Sequence, residues 1–179
     1  MHGLRGIERD LAAKGDPDSP FDPPYPTISI GELKGGTATN ILARECRFAF
    51  DLRCPPGFDP QTILTPFYAI AEEKDAALKA RFPEAGVKVS QLTNVPPLAP
   101  GANNAAETLV RALTGDTALR AVAYATEAGQ FHEGGMDSVI CGPGAIDQAH
   151  TPNEFIATSQ LVEGISVFEK LIHRLANTT

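Results

Sequence analysis

His150 is the side chain whose type and surroundings most suggest chemistry. It lies in a turn-rich segment, residues 142–154, with the sequence GPGAIDQAHTPNE. An imidazole in a loop can bind a metal, but a hydrolytic metal site needs three or four protein ligands, and a two-metal site also needs bridging carboxylates. The sequence has no His-x-Asp motif, no adjacent acidic pair on a loop after a strand and no Cys/His cluster. His150 is therefore either an ordinary loop histidine or one ligand of a site in a larger enzyme, and we favour the second interpretation.

Composition restricts the class of protein without naming a function. The 179 residues allow one or two domains, and 42% hydrophobic with 21% charged residues is ordinary for a globular protein. The net charge of -7, without a Lys/Arg cluster, argues against nucleic acid and anionic membrane as partners. No apolar run approaches a membrane span or a signal peptide. Three cysteines without metal-ligand spacing favour a reducing compartment, so we expect a cytoplasmic protein.

The first half reads as alternating helix and strand around one apolar layer. Leu4, Ile7 and Leu11 recur at helical spacing, and a proline-rich segment follows at 16–26. We predict strands at 27–33, around 39–42, at 46–54 and around Val87 and Val89, and a helix from the Asp59 N-cap to about Phe82. The inner face of that helix is expected to carry apolar residues, namely Ile63, Phe67, Ile70, Ala77 and Ala80.

The 46–54 strand has the clearest alternation. Cys46, Phe48, Phe50, Leu52 and Cys54 share one face, while the other face carries the charged residues of the segment. One buried and one open face are typical of an antiparallel sheet covered by helices on one side. We therefore predict a two-layer α+β sandwich with two helices, in which both cysteines fill the core.

Beyond a predicted linker at 96–101 the pattern changes. We predict a helix from 105 to 113 ended by Gly115, strands at 121–125 and 138–141, and a final helix whose apolar stripe is Leu161, Ile165, Phe168, Ile172 and Leu175. This order is typical of a partial α/β segment. Two short strands flanked by helices bury too little to form a sound domain alone, so something outside the chain is expected to cover them.

Four blocks carry a resemblance to a known family. They are 35–42 (GGTATNIL), 48–57 (FAFDLRCPPG), 124–131 (YATEAGQF) and 142–154. In this order and spacing they resemble the acetylornithine deacetylase family, which belongs with succinyl-diaminopimelate desuccinylase and glutamate carboxypeptidase among the co-catalytic zinc enzymes. The resemblance implies a lid or dimerisation domain at residues 1–98 and a C-terminal segment of the catalytic domain at 99–179. The family's N-terminal part, with its remaining metal ligands and its general base, is expected to lie outside this chain.

The resemblance assigns roles one residue at a time. His150 matches the family's last metal ligand, Asn40 a lid asparagine that helps to bind substrate, and Arg53 a lid arginine that binds the substrate carboxylate. The alternatives are a loop histidine bonded to backbone, an asparagine in a turn after Gly36, and a solvated strand arginine. Bidentate carboxylate recognition suits a guanidinium.

Two further positions match the substrate-binding region. Thr126 follows a predicted strand end, and Gly129 would let backbone approach a ligand there; plain turn roles are the alternative for both. Glu127 favours the deacetylase branch. For Glu154 we prefer a capping box with Thr151 to a catalytic role, and His132 and His173 are expected at the surface.

The resemblance implies a zinc-dependent amidohydrolase that converts N2-acetyl-ornithine to ornithine and acetate in arginine biosynthesis. Two zinc ions, or cobalt, would be bound in each complete site, and the lid would form a homodimer. No catalytic residue is assigned within this chain, which by itself is expected to be inactive. Two alternatives stay open: a related zinc peptidase or desuccinylase acting on another N-acyl amino acid, and a non-catalytic dimerising or amino-acid-binding module.

Overall fold

The computed structural model describes residues 1–99, 101 and 103–177. These residues form two compact units: one comprises Met1–Pro97 with Arg120–Ala125, the other Leu98–Leu119 with the residues from Thr126 onward. Unit 1 contains helix α1 (His2–Ala12), strands β1 (Thr27–Gly35) and β2 (Cys46–Arg53), and helix α2 (Pro60–Lys79); unit 2 contains α3 (Ala105–Thr114), α4 (Ala128–Glu133) and α5 (Thr158–Ala176). No helix of the described residues has the length and apolar character to cross a membrane.

Unit 1 is organised around an antiparallel strand pair. β1 and β2 form a two-stranded sheet in which Ile28 lies opposite Leu52 and Ile30 opposite Phe50. The register shifts between Ile30 and Glu32, so that Leu33 rather than Glu32 lies opposite Phe48. An extra residue in one strand reverses the parity of the side chains that follow it. The bulge thus keeps apolar residues of both strands paired although β1 itself does not alternate regularly.

The core of unit 1 lies between the strand pair and the two helices. Leu4 from α1, Ile28 from β1 and Leu64 from α2 are buried, and half-buried apolar residues surround them. The Phe67 ring meets the Phe50 ring edge-on at a centroid distance of 5.2 Å, which fixes how α2 lies on β2. Antiparallel strands with helices packed on them confirm the α+β character of this half.

Helix α2 begins where the sequence predicted. The Asp59 side chain accepts hydrogen bonds from the backbone N–H groups of Gln61 (3.0 Å) and Thr62 (3.1 Å), and Pro60 takes the first helical position. The Thr62 hydroxyl donates to the same carboxylate, and these bonds lower the pKa of Asp59, with the hydroxyl contributing most. The cap therefore stays ionised at neutral pH.

The inward face of α2 differs from the prediction. Leu64, Phe67 and Tyr68 pack into the core, whereas Ile70 is exposed apart from its contact with α1. A Cβ at Gly3 would lie 2.8 Å from Cδ1 of Ile70, so α1 comes close to α2 only because residue 3 has no side chain. Phe67 lies on the inner face as predicted and Ile63 is half-buried, whereas Ala77 and Ala80 are exposed, so the predicted inner face agrees with the structure only in the first half of the helix.

Several predicted strands are not formed in the described residues. The 39–42 stretch is occupied by a turn in which the Ile41 N–H donates to the Ala38 carbonyl (3.3 Å). Near residue 87 the Val87 N–H donates to an Asp75 carboxylate oxygen (2.8 Å), a side-chain acceptor in place of a sheet partner. The segments 121–125 and 138–141 have no strand structure either. A strand requires a neighbour to pair with, and these segments have strand-like composition without one.

Burial of the cysteines also differs from the prediction. Cys46 is exposed, because it begins β2 at the open end of the strand pair, opposite Gly35. Cys54 is half-buried, and desolvation together with the nearby Asp59 charge raises the pKa of its thiol to about 11. A protonated thiol is a poor nucleophile. Cys54 therefore acts as apolar filler, and only that half of the prediction agrees with the structure.

Unit 2 contains its predicted helices but not the strand predicted at 138–141. α3 is capped by the Asn104 side chain, which accepts from the Glu107 N–H (3.0 Å), and it ends at Gly115, whose φ of 75° suits glycine. The Asn104 amide also donates to the Ser138 carbonyl (2.7 Å), tying that segment to the helix start. Leu113 is the one buried hydrophobic side chain described in this unit. The short helix α4 stands where the sequence predicted only a turn.

Helix α5 leaves its predicted apolar stripe uncovered in the described residues. The residues that face the rest of unit 2 are half-buried: Gln160, Gly164, Val167 and Leu171. Lys170 Nζ donates to the Leu113 carbonyl (3.2 Å), which anchors α5 beside α3. The predicted stripe, from Leu161 to Leu175, is 45–65% exposed. The amphipathic pattern of α5 is therefore present, but α3 contacts a neighbouring side of the helix, in line with the expectation that something outside the chain covers this unit.

Leu64→Ala tests the core of unit 1. We expect a loss of about 2–5 kcal/mol in the free energy of unfolding, because a buried leucine leaves a cavity among Leu4, Ile28 and the aromatic rings. Native-state hydrogen exchange at the β2 amides measures this unit separately from the other. Leu42→Ala, at a side chain that is 96% exposed, serves as the control and should change the free energy by less than about 0.5 kcal/mol. Equal effects of the two substitutions would contradict this core.

Candidate functional site

Arg53 ends β2 with its side chain on the open face of the strand. Its Nε donates to an Asp51 carboxylate oxygen at 2.8 Å, and its Nη1 donates to the Ala123 carbonyl at 3.2 Å, both within unit 1. About half of the side chain remains exposed. The two contacts orient the guanidinium without burying it. A ligand carboxylate could therefore approach it, although Asp51 would compete for the same positive charge.

Arg47 lies on the same face of β2 as Arg53 and also pairs with an acidic side chain, so the two arginines can be compared. It lies six residues before Arg53 and pairs with Glu45 at 2.9 Å, much as Arg53 pairs with Asp51. Surface pairs of this kind contribute little to stability. What distinguishes Arg53 is its bond to the distant Ala123 carbonyl. That bond brings the 120–125 segment to the end of the strand and limits the orientations of the guanidinium.

Asn40 lies in the connection between β1 and β2. It is exposed and forms part of the turn closed by the Ile41-to-Ala38 hydrogen bond, after Gly36 with its φ of 75°. This geometry agrees with the turn interpretation. The exposed amide is also open to a ligand, so its predicted binding role stays a prediction.

Thr126 and Gly129 lie together at the start of α4 in unit 2. The Thr126 hydroxyl accepts from the Ala128 N–H at 3.2 Å, which forms a local turn immediately before the helix, whose N-cap is Glu127. Gly129 is buried within the first turn of that helix. The structure thus gives both residues a local role. The predicted contact of both residues with substrate stays a prediction.

His150 is an exposed residue of the loop that precedes α5. Its φ is 58°, in the left-handed region where non-glycine residues are uncommon, and its N–H donates to a Glu154 carboxylate oxygen at 3.1 Å. Asn153 has a left-handed φ of 61° as well. The segment is therefore a tight, specifically folded loop that presents its histidine outward.

The same hydrogen bond corrects the expectation for Glu154. No helix begins at Thr151, because α5 starts at Thr158, and the Glu154 carboxylate bonds residue 150 instead of capping Thr151. The predicted capping box is wrong. Glu154 instead holds the loop around His150, a role that the spacing of the residues did not reveal because the loop turns through left-handed backbone.

His132 and His173 were expected at the surface. His173 is exposed on α5, as predicted, and its carbonyl accepts from the Asn177 side chain at 2.8 Å. His132 is half-buried in the last turn of α4, which differs from the polar turn that the sequence suggested. Neither joins a metal-ligand cluster within the described chain.

Metal binding by this chain alone does not fit its residues. Across residues 1–99, 101 and 103–177, no group of three His, Cys, Asp or Glu side chains lies close enough to hold an ion. Zinc in hydrolytic sites takes three or four protein ligands. His150 can offer one imidazole, so a complete site would need ligands from outside these residues.

Comparison with known proteins shows which families this chain is similar to. The sequence profile of the peptidase dimerisation domain matches residues 2–79, which include α1, both strands and α2. The chain is also similar to curated acetylornithine deacetylases. It is 29% identical to the Myxococcus xanthus enzyme over 165 residues, 88% of this chain and 40% of that protein.

Two further relatives agree in name and extent. The Pectobacterium atrosepticum enzyme is 30% identical over 161 residues, 88% of this chain and 39% of the relative, and the Proteus mirabilis enzyme is 31% identical over 158 residues, 82% and 39% respectively. Both are acetylornithine deacetylases by name. The chain resembles the acetylornithine deacetylases. It spans about two-fifths of the length of these relatives, and the match extends well past the dimerisation domain into unit 2.

The metal content of the purified chain tests whether His150 is its only metal ligand among the described residues. We expect well under one equivalent of zinc after gel filtration, because a single exposed imidazole binds zinc weakly. Inductively coupled plasma mass spectrometry measures it, and His150→Ala should leave the value unchanged. Stoichiometric zinc that resists a chelator would show that ligands exist which the described residues do not bring together.

Proposed function

We propose that this chain is the dimerisation domain and the C-terminal catalytic segment of a cytoplasmic, metal-dependent amidohydrolase that deacetylates N2-acetyl-ornithine. The observation that carries the proposal is the continuous similarity to acetylornithine deacetylases over more than four-fifths of the chain, across both units. A dimerisation module alone would account for residues 2–79 but not for the similarity beyond them. The reaction places the protein in arginine biosynthesis.

In this proposal the domains divide as residues 1–98 and 99–179. The first carries the dimer contact, consistent with the profile of a peptidase dimerisation domain, and so gives a homodimer. The second contributes to the catalytic domain. The general base and the remaining metal ligands lie in the part of the relatives that this chain does not match, so the chain alone does not catalyse the reaction.

The proposed roles follow the chemistry of each side chain. Arg53 binds the substrate carboxylate with its exposed guanidinium, which the bond to the Ala123 carbonyl keeps oriented. Asn40 offers an exposed amide, and Thr126 with Gly129 offers a hydroxyl and a close approach of backbone at the start of α4. These groups bind and orient the substrate.

His150 has a different role in the proposal. Its imidazole is one metal ligand, and the left-handed loop braced by Glu154 sets the direction in which it points. In the complete site a bound zinc or cobalt ion would supply electrophilic activation of the amide. The described residues do not assemble a complete metal site, so this chain contributes the His150 imidazole as one ligand.

The activity is tested in a chimaera that joins the unmatched part of the Myxococcus xanthus enzyme to this chain, whose match covers 40% of that relative. The substrates are N2-acetyl-ornithine and N-succinyl-diaminopimelate, compared by kcat/KM. Preference for the acetylated substrate supports the proposal. Preference for the succinylated one, or metal retention without hydrolysis of either, would favour a related enzyme or a binding module instead.

His150→Ala in that chimaera should weaken metal retention and lower kcat by more than about a hundredfold, since even outer partners of metal ligands are worth about 10–100-fold. Metal content after dialysis and steady-state kinetics measure the two effects. His173→Ala, at an exposed histidine of the same unit, is the control and should change neither. Full metal content with normal turnover in His150→Ala would show that His150 is not a metal ligand.

Arg53→Ala should mainly raise KM, by roughly 10–150-fold, because a hydrogen bond to a charged group contributes about 1.5–3 kcal/mol. Metal content should not change. Arg47→Ala is the matched control, as it removes a guanidinium with the same kind of acidic partner from the same strand face. Arg53→Lys should recover part of the loss, since charge is kept but the bidentate geometry is not. Equal effects at residues 47 and 53 would mean that net charge, not a specific contact, is responsible.

A further inference from the structure

Asp51 is an acidic side chain on the open face of β2, next to the arginine that is a candidate for binding a carboxylate. Its Oδ2 accepts from the Arg53 Nε at 2.8 Å, and 61% of its side chain remains exposed. An exposed ion pair of this kind contributes little to stability. The Asp51 carboxylate is therefore not needed to hold the strand pair together, and it stays accessible to a ligand that reaches Arg53.

The neighbouring strand brings no charged side chain to this end of the face. Ser29 of β1 lies opposite Asp51, and Thr27 lies opposite Arg53. Residues that are directly opposite in an antiparallel pair share a face of the sheet, so the cross-strand neighbours of the ion pair are two small hydroxyl side chains. They leave both charged groups uncovered. One cationic and one anionic group are thus open to the same ligand.

Glu45 has an equivalent contact at the other end of the strand, in different surroundings. It precedes Arg47 by two residues, as Asp51 precedes Arg53, and the two side chains pair at 2.9 Å. There the cross-strand neighbour of the arginine is Lys34, which pairs with Glu32. A second ion pair therefore accompanies the first at that end. Glu45 resembles Asp51 in its own contact and differs from it in what surrounds that contact.

The contacts of Arg53 restrict where a ligand carboxylate can bind. Asp51 uses the Nε and the Ala123 carbonyl uses the Nη1, so Nη2 is the nitrogen that neither contact uses. A carboxylate bound there is separated from the Asp51 carboxylate by a single guanidinium group, and two anions at such short range repel each other. A cationic group on the same ligand offsets this repulsion, because it can bond Asp51 while the carboxylate bonds Arg53.

We propose that Asp51 determines specificity by selecting, among N-acylated amino acids, those whose side chain carries a positive charge. Its carboxylate bonds the ligand ammonium group while Arg53 bonds the α-carboxylate. A neutral side chain leaves Asp51 facing an anion without compensation, and an acidic side chain adds a second repulsion. The inference rests on the proposed function for the role of Arg53. It gives a reason within this chain for a preference for N2-acetyl-ornithine, whose side chain ends in an ammonium group.

The experiment uses the chimaera with the unmatched part of the Myxococcus xanthus enzyme. Its two substrates are N2-acetyl-ornithine and N2-acetyl-norvaline, which have the same carbon chain and differ by the ammonium group. We expect the unaltered protein to favour the first in kcat/KM. Asp51→Asn should lower that preference by at least about tenfold, because a hydrogen bond between charged groups is lost. Asp51→Glu should keep part of it, and Glu45→Gln, the matched control, should leave it unchanged.

Further measurements separate specificity from the orientation of Arg53 and from turnover. If Asp51 only oriented Arg53, Asp51→Asn would raise KM for both substrates by the same factor and the preference would not change. Calorimetric titration of the metal-free chimaera with the two compounds measures the preference without hydrolysis. The far-UV circular dichroism of Asp51→Asn should match that of the unaltered protein, since the exposed pair contributes little to stability.

Each outcome decides one of the two claims. The inference is overturned by an unchanged preference in Asp51→Asn, by an equal change in Glu45→Gln, by an unaltered protein that does not distinguish the two compounds, or by one that binds neither. A preference in the titration that depends on Asp51, without hydrolysis of N2-acetyl-ornithine, supports the specificity role and contradicts the proposed function. Hydrolysis of N2-acetyl-ornithine with a preference that does not depend on Asp51 does the reverse.

Discussion

Burial of the helix faces against the strand pair is the constraint on which unit 1 depends. Leu4, Ile28 and Leu64 come from three different elements and meet in one cluster. Around them the aromatic side chains of β2 and α2 interlock, with Phe50 and Phe67 in edge-to-face contact. These contacts determine the phase of α2, the closeness of α1 at Gly3 and the side of β2 that stays open. Arg53 lies on that open side because the apolar residues of β2 occupy the other.

Unit 2 lacks an equivalent core. Helix α3 is capped by the Asn104 side chain at its start and by Gly115 at its end, whereas α4 and α5 have no side-chain hydrogen bond at the N-cap, and local capping does not bury apolar surface. Leu113 is its one buried hydrophobic residue among those described, while the stripe of α5 remains open. Helical stability in proteins comes mostly from packing of an amphipathic face. The secondary structure of this unit is therefore complete in its helices and incomplete in its tertiary contacts, which agrees with a chain that spans two-fifths of its relatives.

The candidate site residues show how a local role and a proposed functional role can coincide. Thr126 bonds the Ala128 N–H just before α4, Asn40 forms part of a turn and Arg53 pairs with Asp51, so each has a structural explanation. None of these contacts buries the polar group completely, and each holds it in a limited range of orientations. His150 has the least ordinary backbone, since its left-handed φ is braced by Glu154. Preorganised polar groups of this kind are what a binding site requires, but the same groups also occur in structural loops.

The sequence by itself determined the features that depend on near neighbours along the chain. The Asp59 cap, the Gly115 helix end, the alternation of β2 and the amphipathic pattern of α5 follow from local hydrogen bonds and from the periods of helix and strand. The blocks around Asn40, Arg53, Thr126 and His150 were also sufficient for the resemblance to acetylornithine deacetylases. The roles of those residues were not decided by the sequence.

Only the tertiary structure decided which faces are covered and which strands exist. Ile70 and the α5 stripe are apolar at helical spacing, yet they are exposed because burial depends on what another element brings to them. The segments 39–42, 87–89, 121–125 and 138–141 have strand-like composition without strand structure, because a ladder needs a partner that local pattern cannot supply. The bulge in β1, the close approach at Gly3 and the bond from Glu154 to residue 150 likewise depend on contacts in space. The hydrophobic pattern of a helix or strand indicates which of its faces is suited to burial. Which other element covers that face is determined only by the tertiary structure.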